Sequence, residues 1–153
     1  MLSRKAKYAL IAALDLAENF DRGPRLIVDI CNKNKLPRKF VESILLELKN
    51  AGLLDSKKGR GGGYILDRSP ETITVGEVVR KIDGPLAPFR CASAQSPVPC
   101  EECLDPQSCG IRSVMKEARD AIAGVLDKVT LAEANRRSAA LSRDRREAIM
   151  YHI

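Results

Sequence analysis

The chain has no apolar segment long enough to cross a membrane. A membrane-spanning helix needs about 18 consecutive apolar residues, and no run of that length occurs in the 153 residues. The first twenty residues also lack the small-residue cleavage site of a signal peptide, and Asp15 and Glu18 interrupt their apolar part. We therefore expect a cytoplasmic protein with no membrane partner.

Histidine is nearly absent, and so are internal repeats and low-complexity segments. The only histidine is His152, which lies near the charged C-terminal end and is not expected to act as a ligand. Hydrophobic residues make up 44% of the chain and charged residues 30%, a composition that excludes a disordered chain. A chain of this length can bury a core without disulfides or metals.

The positive charge is concentrated in the N-terminal part. Residues 1–69 contain fourteen Lys or Arg and eight Asp or Glu, whereas residues 70–153 contain twelve of each. The whole formal net charge of +6 therefore belongs to the first part of the chain. A local excess of this kind favours a polyanionic partner such as nucleic acid.

Hydrophobic periodicity and turn residues predict three helices followed by a β-hairpin. The helices are expected at about 3–18, 27–34 and 37–51, with Pro37 in the first turn of the third and Gly52 ending it. Strands at 53–58 and 64–66 flank a glycine-rich tip, and a short helix follows at 75–82. The predicted fold is mainly α with a small β-wing, a winged helix-turn-helix domain over residues 1–83.

The C-terminal part predicts a long helix with one apolar seam. Its apolar residues are spaced alternately by four and three, as in a helix that pairs with another helix. We expect a dimerisation helix over residues 111–135, although packing on its own domain would give the same spacing. Residues 136–153 are predicted to form a charged, partly disordered tail. The seam residues are Ile111, Met115, Ala118, Ile122, Val125 and Val129.

The third helix is the predicted recognition helix, whose first residues reach base edges in the major groove. The hairpin is the predicted wing, in which glycines let cations approach phosphates or a minor groove. Each wing glycine costs backbone entropy without a packing return, so we interpret the glycine run as functional. Basic residues that open the first helix are candidate phosphate contacts, whereas Lys33 and Lys49 are interpreted as solvated. The expected DNA contacts are Arg4, Lys5, Lys7, Pro37, Arg38, Lys39, Glu42, Ser56, Lys57, Lys58 and Arg60.

Four of the five cysteines lie within nineteen residues of a predicted loop, residues 84–110. In a reducing cytosol such a cluster is more often a metal site than a disulfide framework. Thiolates suit zinc and iron–sulfur centres alike, and free thiols or one reversible disulfide are the alternative. The fifth, Cys31, is expected in the core. The candidate metal ligands are Cys91, Cys100, Cys103 and Cys109.

Three motifs carry a resemblance to a known family. They are the basic start that ends at Tyr8, the run from Leu48 to Leu53, and the wing pattern from Ser56 to Tyr64. With these motifs the chain resembles the Rrf2 family of winged-helix repressors over roughly residues 1–132. The family includes regulators that sense iron–sulfur status, nitric oxide or iron. The resemblance implies a homodimeric transcriptional regulator that binds an operator in double-stranded DNA.

The resemblance also implies which kind of metal centre the cysteine loop holds. Cluster-bearing members of the family carry three cysteines in this loop, and five residues separate the last two. This pattern implies that Cys91, Cys103 and Cys109 hold an iron–sulfur cluster, of the [2Fe–2S] or [4Fe–4S] type.

The fourth ligand departs from the family pattern. Cluster-bearing members take it from a nearby histidine or from an acidic residue near the N-terminus of the partner. The matching positions here are Arg112 and Tyr8. The additional Cys100 either supplies the missing ligand or is a spare thiol.

Two other classes of function are less consistent with the sequence. A thiol oxidoreductase would use Cys100-Glu101-Glu102-Cys103, but adjacent acidic residues in a loop raise a thiol pKa. An adaptor that binds a protein through the C-terminal helix leaves the wing unexplained. The sequence thus predicts a regulator rather than an enzyme. Its sensor is a cysteine-ligated cluster or, alternatively, structural zinc or redox-active thiols.

Overall fold

The computed structural model describes residues 2–150, apart from the side chain of Ile149, and is mainly helical with one two-stranded sheet. Single 3-10 turns occur at Phe20–Arg22 and Arg90–Ala92. The predicted fold class is confirmed. In chain order the elements are α1 (Arg4–Glu18), α2 (Ile27–Asn34), α3 (Arg38–Asn50), β1 (Leu54–Lys57), β2 (Gly63–Leu66), α4 (Val75–Asp83), α5 (Gly110–Leu126) and α6 (Leu131–Met150).

Helix α1 lies at the centre of the domain because small residues line its buried face. Four alanines on this face are buried, and α3, α4 and α6 all pack against the helix. The helix begins after Ser3, whose hydroxyl accepts a hydrogen bond from the Ala6 amide at 3.0 Å. The buried alanines are Ala6, Ala9, Ala12 and Ala13.

Helices α2 and α3 form the helix-turn-helix pair. Residues of α3 at spacings of three and four are fully buried, and Cys31 of α2 is buried beside them, as predicted. Pro37 is the N-cap of α3 rather than a residue of its first turn. Gly52 ends the helix with a φ of 75°, and its amide donates to the Lys49 carbonyl at 2.9 Å. The buried residues of α3 are Val41, Ile44, Leu45 and Leu48.

Strands β1 and β2 form an antiparallel hairpin, the wing, with Leu54 opposite Leu66 and Lys57 opposite Gly63. Gly62 and Gly63 have a structural reason, so the interpretation that the wing glycines give no packing return is wrong for these two. A Cβ on Gly63 would lie 2.3 Å from the Arg25 carbonyl oxygen, because this strand also pairs with residue 25. A Cβ on Gly62 would lie equally close to the Lys57 carbonyl oxygen.

The predicted single helix over 111–135 is interrupted. Helix α5 ends at Leu126 and α6 begins at Leu131. The intervening chain turns because it pairs with the segment before α4: the Val75 amide donates to the Val129 carbonyl at 2.9 Å. Val129, the last residue of the predicted seam, therefore lies outside α5.

The predicted disorder of the tail is also wrong for its described residues. Residues 136–150 belong to α6, since this helix is anchored at its start and rich in good helix formers. Leu131 is fully buried, and the Asn135 side-chain amide donates to the Leu14 carbonyl at 3.0 Å. His152 lies outside the described residues. Within residues 2–150 no helix has both the length and the apolar character of a membrane span.

Candidate functional site

The first turn of α3 exposes the side chains predicted to read DNA. Pro37, Arg38 and Lys39 are all exposed. Arg38 donates from Nε to the Glu42 carboxylate at 2.8 Å, across one turn of the helix. An exposed pair of this kind contributes at most about 1 kcal/mol, so Arg38 can leave Glu42 for a phosphate or a base at little cost.

The wing presents three exposed cations beside α3. Lys57, Lys58 and Arg60 are exposed, and none forms an ion pair with another residue in the described part of the chain. The Ser56 hydroxyl accepts a hydrogen bond from the Lys49 ammonium. Lys49, interpreted from the sequence as solvated, therefore links the recognition helix to the wing.

The basic residues at the start of α1 differ in their surroundings. Arg4 and Lys7 are exposed, as phosphate contacts require. Lys5 forms an ion pair with Glu47 at 2.5 Å and so ties α1 to α3.

A buried carboxylate that the sequence did not reveal holds the helix-turn-helix together. The side chain of Asp15 is only 1% exposed and accepts from Arg25 at 3.1 Å, from Lys33 at 3.1 Å and from Asn34 at 3.0 Å. Burial disfavours its charged form, but the hydrogen bonds from Asn34, Lys33 and Arg25 outweigh this and hold the pKa of Asp15 below its ordinary value. The Arg25 amide also donates to the Tyr64 carbonyl at 2.9 Å, so the network reaches the wing.

The cysteine loop brings some of its thiols together. Cys91 is buried and Cys100 is exposed, while Cys103 and Cys109 are half-buried. Hydrogen bonding with Cys91, and to a smaller extent the nearby Cys103 and Glu102, raises the pKa of the Cys100 thiol. This raised pKa agrees with the expectation that Cys100 is poorly activated for oxidoreductase chemistry.

Two arginines of α5 donate hydrogen bonds to backbone carbonyls of the cysteine loop and so anchor the loop to the helix. Arg112 donates from Nε to the Cys91 carbonyl and from Nη1 to the Pro106 carbonyl, both at 2.9 Å. Its amide donates to the Cys109 sulfur at 3.4 Å, so this cysteine caps the helix. Arg119 donates to the Ala92 carbonyl at 2.5 Å. The backbone around Cys91 is thereby coupled to the position of α5.

The donor chemistry of the loop fits a soft metal or cluster, although its thiols are not gathered around one point among the described residues. Four thiols are a suitable donor set for zinc or an iron–sulfur centre. In the described part of the chain, however, no three Cys, His, Asp or Glu side chains are grouped as ligands of one metal ion. The four thiols therefore do not form a preassembled metal site.

Helix α5 exposes most of its apolar residues. None of its residues is buried, and its large apolar side chains include four that are 41 to 66% exposed. Met115 and Ala118 of the predicted seam are half-buried. Val114 also belongs to this apolar face, although it is not one of the predicted seam residues. The four exposed residues are Ile111, Val114, Ile122 and Val125.

Comparison with known proteins assigns the family. A sequence profile of Rrf2, described as an iron-dependent transcriptional regulator, matches residues 2–136. The chain belongs to the Rrf2 family of transcriptional regulators. An rrf2-like HTH-type transcriptional regulator of Rhodobacter capsulatus is 40% identical over 134 residues, which cover 86% of this chain and 89% of the relative.

Two solved Rrf2-type structures share the fold. CymR, the global cysteine regulator of Bacillus subtilis, superposes with a TM-score of 0.74 at 31% identity and covers 90% of this chain and 97% of its own. By sequence, CymR is 31% identical over 152 residues, 99% of both chains. IscR of T. potens superposes with a TM-score of 0.72 at 29% identity and covers 90% of this chain and 88% of its own. These names are those of transcription regulators rather than enzymes.

Proposed function

We propose that this Rrf2-family member is a homodimeric repressor that binds double-stranded operator DNA through α3 and the wing. The observation that carries this proposal is the cationic surface of the wing beside the exposed start of α3. Lys57, Lys58 and Arg60 extend into solvent without carboxylate partners among the described residues, which suits contact with phosphates. The unpartnered apolar face of α5 supports the dimer.

The signal is iron–sulfur status, nitric oxide or redox state, sensed by the cysteine loop. Cys91, Cys103 and Cys109 are the proposed cluster ligands, and Cys100 is the proposed fourth. When bound, a cluster would supply a centre that reacts with oxidants and with nitric oxide. The family resemblance and the four thiols support this assignment.

The chain itself provides a route from the loop to the DNA-binding surface. Arg112 and Arg119 fasten the backbone at Cys91 and Ala92 to α5, and α5 carries the proposed dimer face. A change in the loop would therefore shift α5 and the spacing of the two wings. Such a change would alter the DNA affinity because it shifts the population between two dimer geometries.

Anaerobic purification tests the sensor. We expect brown protein that contains iron and acid-labile sulfide, and we expect Cys103→Ala to lose the visible absorbance and the signal-dependent change in DNA affinity. A Cys103→Ala protein that kept both properties would contradict the proposal. Cys31→Ala is the matched control, since this cysteine is buried in the core outside the loop.

A second candidate is the same DNA-binding regulator with structural zinc or with redox-active thiols and no cluster. The influence of Cys91 on the pKa of the Cys100 thiol supports it, because a reversible disulfide requires two neighbouring thiols. Colourless protein with stoichiometric zinc would identify the structural-zinc form. Colourless, metal-free protein whose DNA affinity responds to a disulfide oxidant would identify the thiol form.

A further inference from the structure

A shallow groove with an apolar floor lies between the recognition helix and the wing. The start of α2 lines it with the apolar side chains that we call its floor, and Arg38 of α3 and Lys57 of β1 also line it. The volume of the groove is about 270 Å³, below the range of about 300–1,000 Å³ that is typical of small-molecule sites. The groove therefore suits a chain that passes across it better than an enclosed ligand.

The floor contains two apolar side chains whose exposure the fold does not explain. Leu26 is 49% exposed and Val28 is 42% exposed. Leu26 is the N-cap of α2 and makes no capping hydrogen bond through its side chain, at a position where Ser, Thr, Asp and Asn are strongly preferred. It neither caps the helix nor fills the core, so its side chain is available for contact with a partner.

The geometry of a winged-helix complex identifies what crosses this surface. When α3 lies in the major groove and the wing lies in the minor groove, the DNA strand that separates the two grooves passes between them. Arg38 and Lys57 supply positive charge along its path, and no acidic residue is among those that line the groove. Each deoxyribose presents a carbon-rich face that can pack on an apolar floor.

We propose that the sugar–phosphate backbone of one DNA strand lies in this groove, with deoxyribose packed on Leu26 and Val28 and with phosphates beside Arg38 and Lys57. A 2′-hydroxyl there would be buried against apolar side chains without a hydrogen-bond partner, which is unfavourable. The groove would thus select deoxyribose over ribose. This inference rests on the proposed binding of duplex DNA.

The test uses the full-length chain and a duplex that the wild-type protein selects from a random-sequence pool. The Leu26→Ala/Val28→Ala variant removes apolar surface without adding a polar group, and alanine is at least as favourable in the helix. We expect an unchanged Tm, a Kd that is roughly tenfold higher, and the same dependence of log Kd on log salt. Leu141→Ala, which shortens an exposed leucine of α6, is the matched control and should change none of these quantities.

Single ribonucleotides placed along the selected duplex give a second readout. We expect some positions to weaken wild-type binding by roughly tenfold, and we expect the double variant to lose most of this penalty. Equal Kd values for the wild type and the double variant, or an undiminished ribose penalty in the variant, would overturn the groove assignment alone. Failure of the wild-type protein to enrich any duplex would overturn the proposed function and this inference together.

Discussion

The Asp15 network gives a quantitative test of how the DNA-binding elements are held together. Asp15→Asn keeps the size of the side chain but removes its charge, which leaves Arg25 and Lys33 without their buried partner. Removing one member of a buried ion pair costs about 3–5 kcal/mol. Because Lys33 is 43% exposed at its side chain, we expect the lower end, a loss of about 3 kcal/mol.

Thermal unfolding followed by circular dichroism measures this loss. For a chain of this size 1 kcal/mol corresponds to about 2–4 °C, so the Tm of Asp15→Asn should fall by about 6–12 °C. Glu18→Gln is the matched control, because Glu18 contacts the same Lys33 ammonium at 2.7 Å but is largely exposed. Its loss should not exceed about 1 kcal/mol.

The effect of pH follows from the lowered pKa of Asp15. A carboxylate with a depressed folded-state pKa stabilises the fold above its unfolded pKa of about 3.9, and this stabilisation is lost as pH falls through the folded-state value. The stability gap between the wild type and Asp15→Asn should therefore be full at about pH 6 and shrink below about pH 4. A gap no larger than that of Glu18→Gln, or one that persists unchanged in acid, would refute the role of Asp15.

Three further predictions concern the wing, the loop and α5. Lys57→Ala should reduce the slope of log Kd against log salt by about 1.8 per dimer in fluorescence anisotropy, and an unchanged slope would remove Lys57 from the interface. Arg112→Gln should speed proteolytic cleavage within residues 84–110 because the loop loses two hydrogen bonds; cleavage at the wild-type rate would contradict this fastening role. Val125→Glu should give monomers in analytical ultracentrifugation, whereas Leu141→Glu should not; dimers of both variants would exclude the α5 interface.

Elements with a local signal in the sequence were predictable. The apolar spacing of α3 and the glycine that ends it placed the recognition helix within one residue at each end. The change to a hairpin after Gly52 placed the wing, and four clustered cysteines identified the loop. Each of these signals lies within about twenty residues, so no knowledge of the tertiary contacts was needed.

Features that depend on distant contacts were not predictable. Arg112 donates to the carbonyl of Cys91, 21 residues away. Every residue has a backbone carbonyl, so the sequence does not indicate which one accepts this hydrogen bond. The break between α5 and α6 has the same origin. Arg80 forms a two-bond pair with Asp127, 47 residues away, which fixes the end of α5 near α4. The apolar seam predicted the helix but gave no sign of this interruption.

The wing shows why a functional motif needs both kinds of information. Its glycines and its cations occur together in the sequence, and the pattern predicts DNA contact for both. The structure separates them, because a Cβ on Gly62 would lie 2.3 Å from the Lys57 carbonyl oxygen whether or not DNA is bound. A Gly62→Ala variant that loses DNA binding would therefore report on the shape of the hairpin. Only the loss of a cation such as Lys57 or Arg60, in a wing whose backbone is intact, would report on contact with DNA.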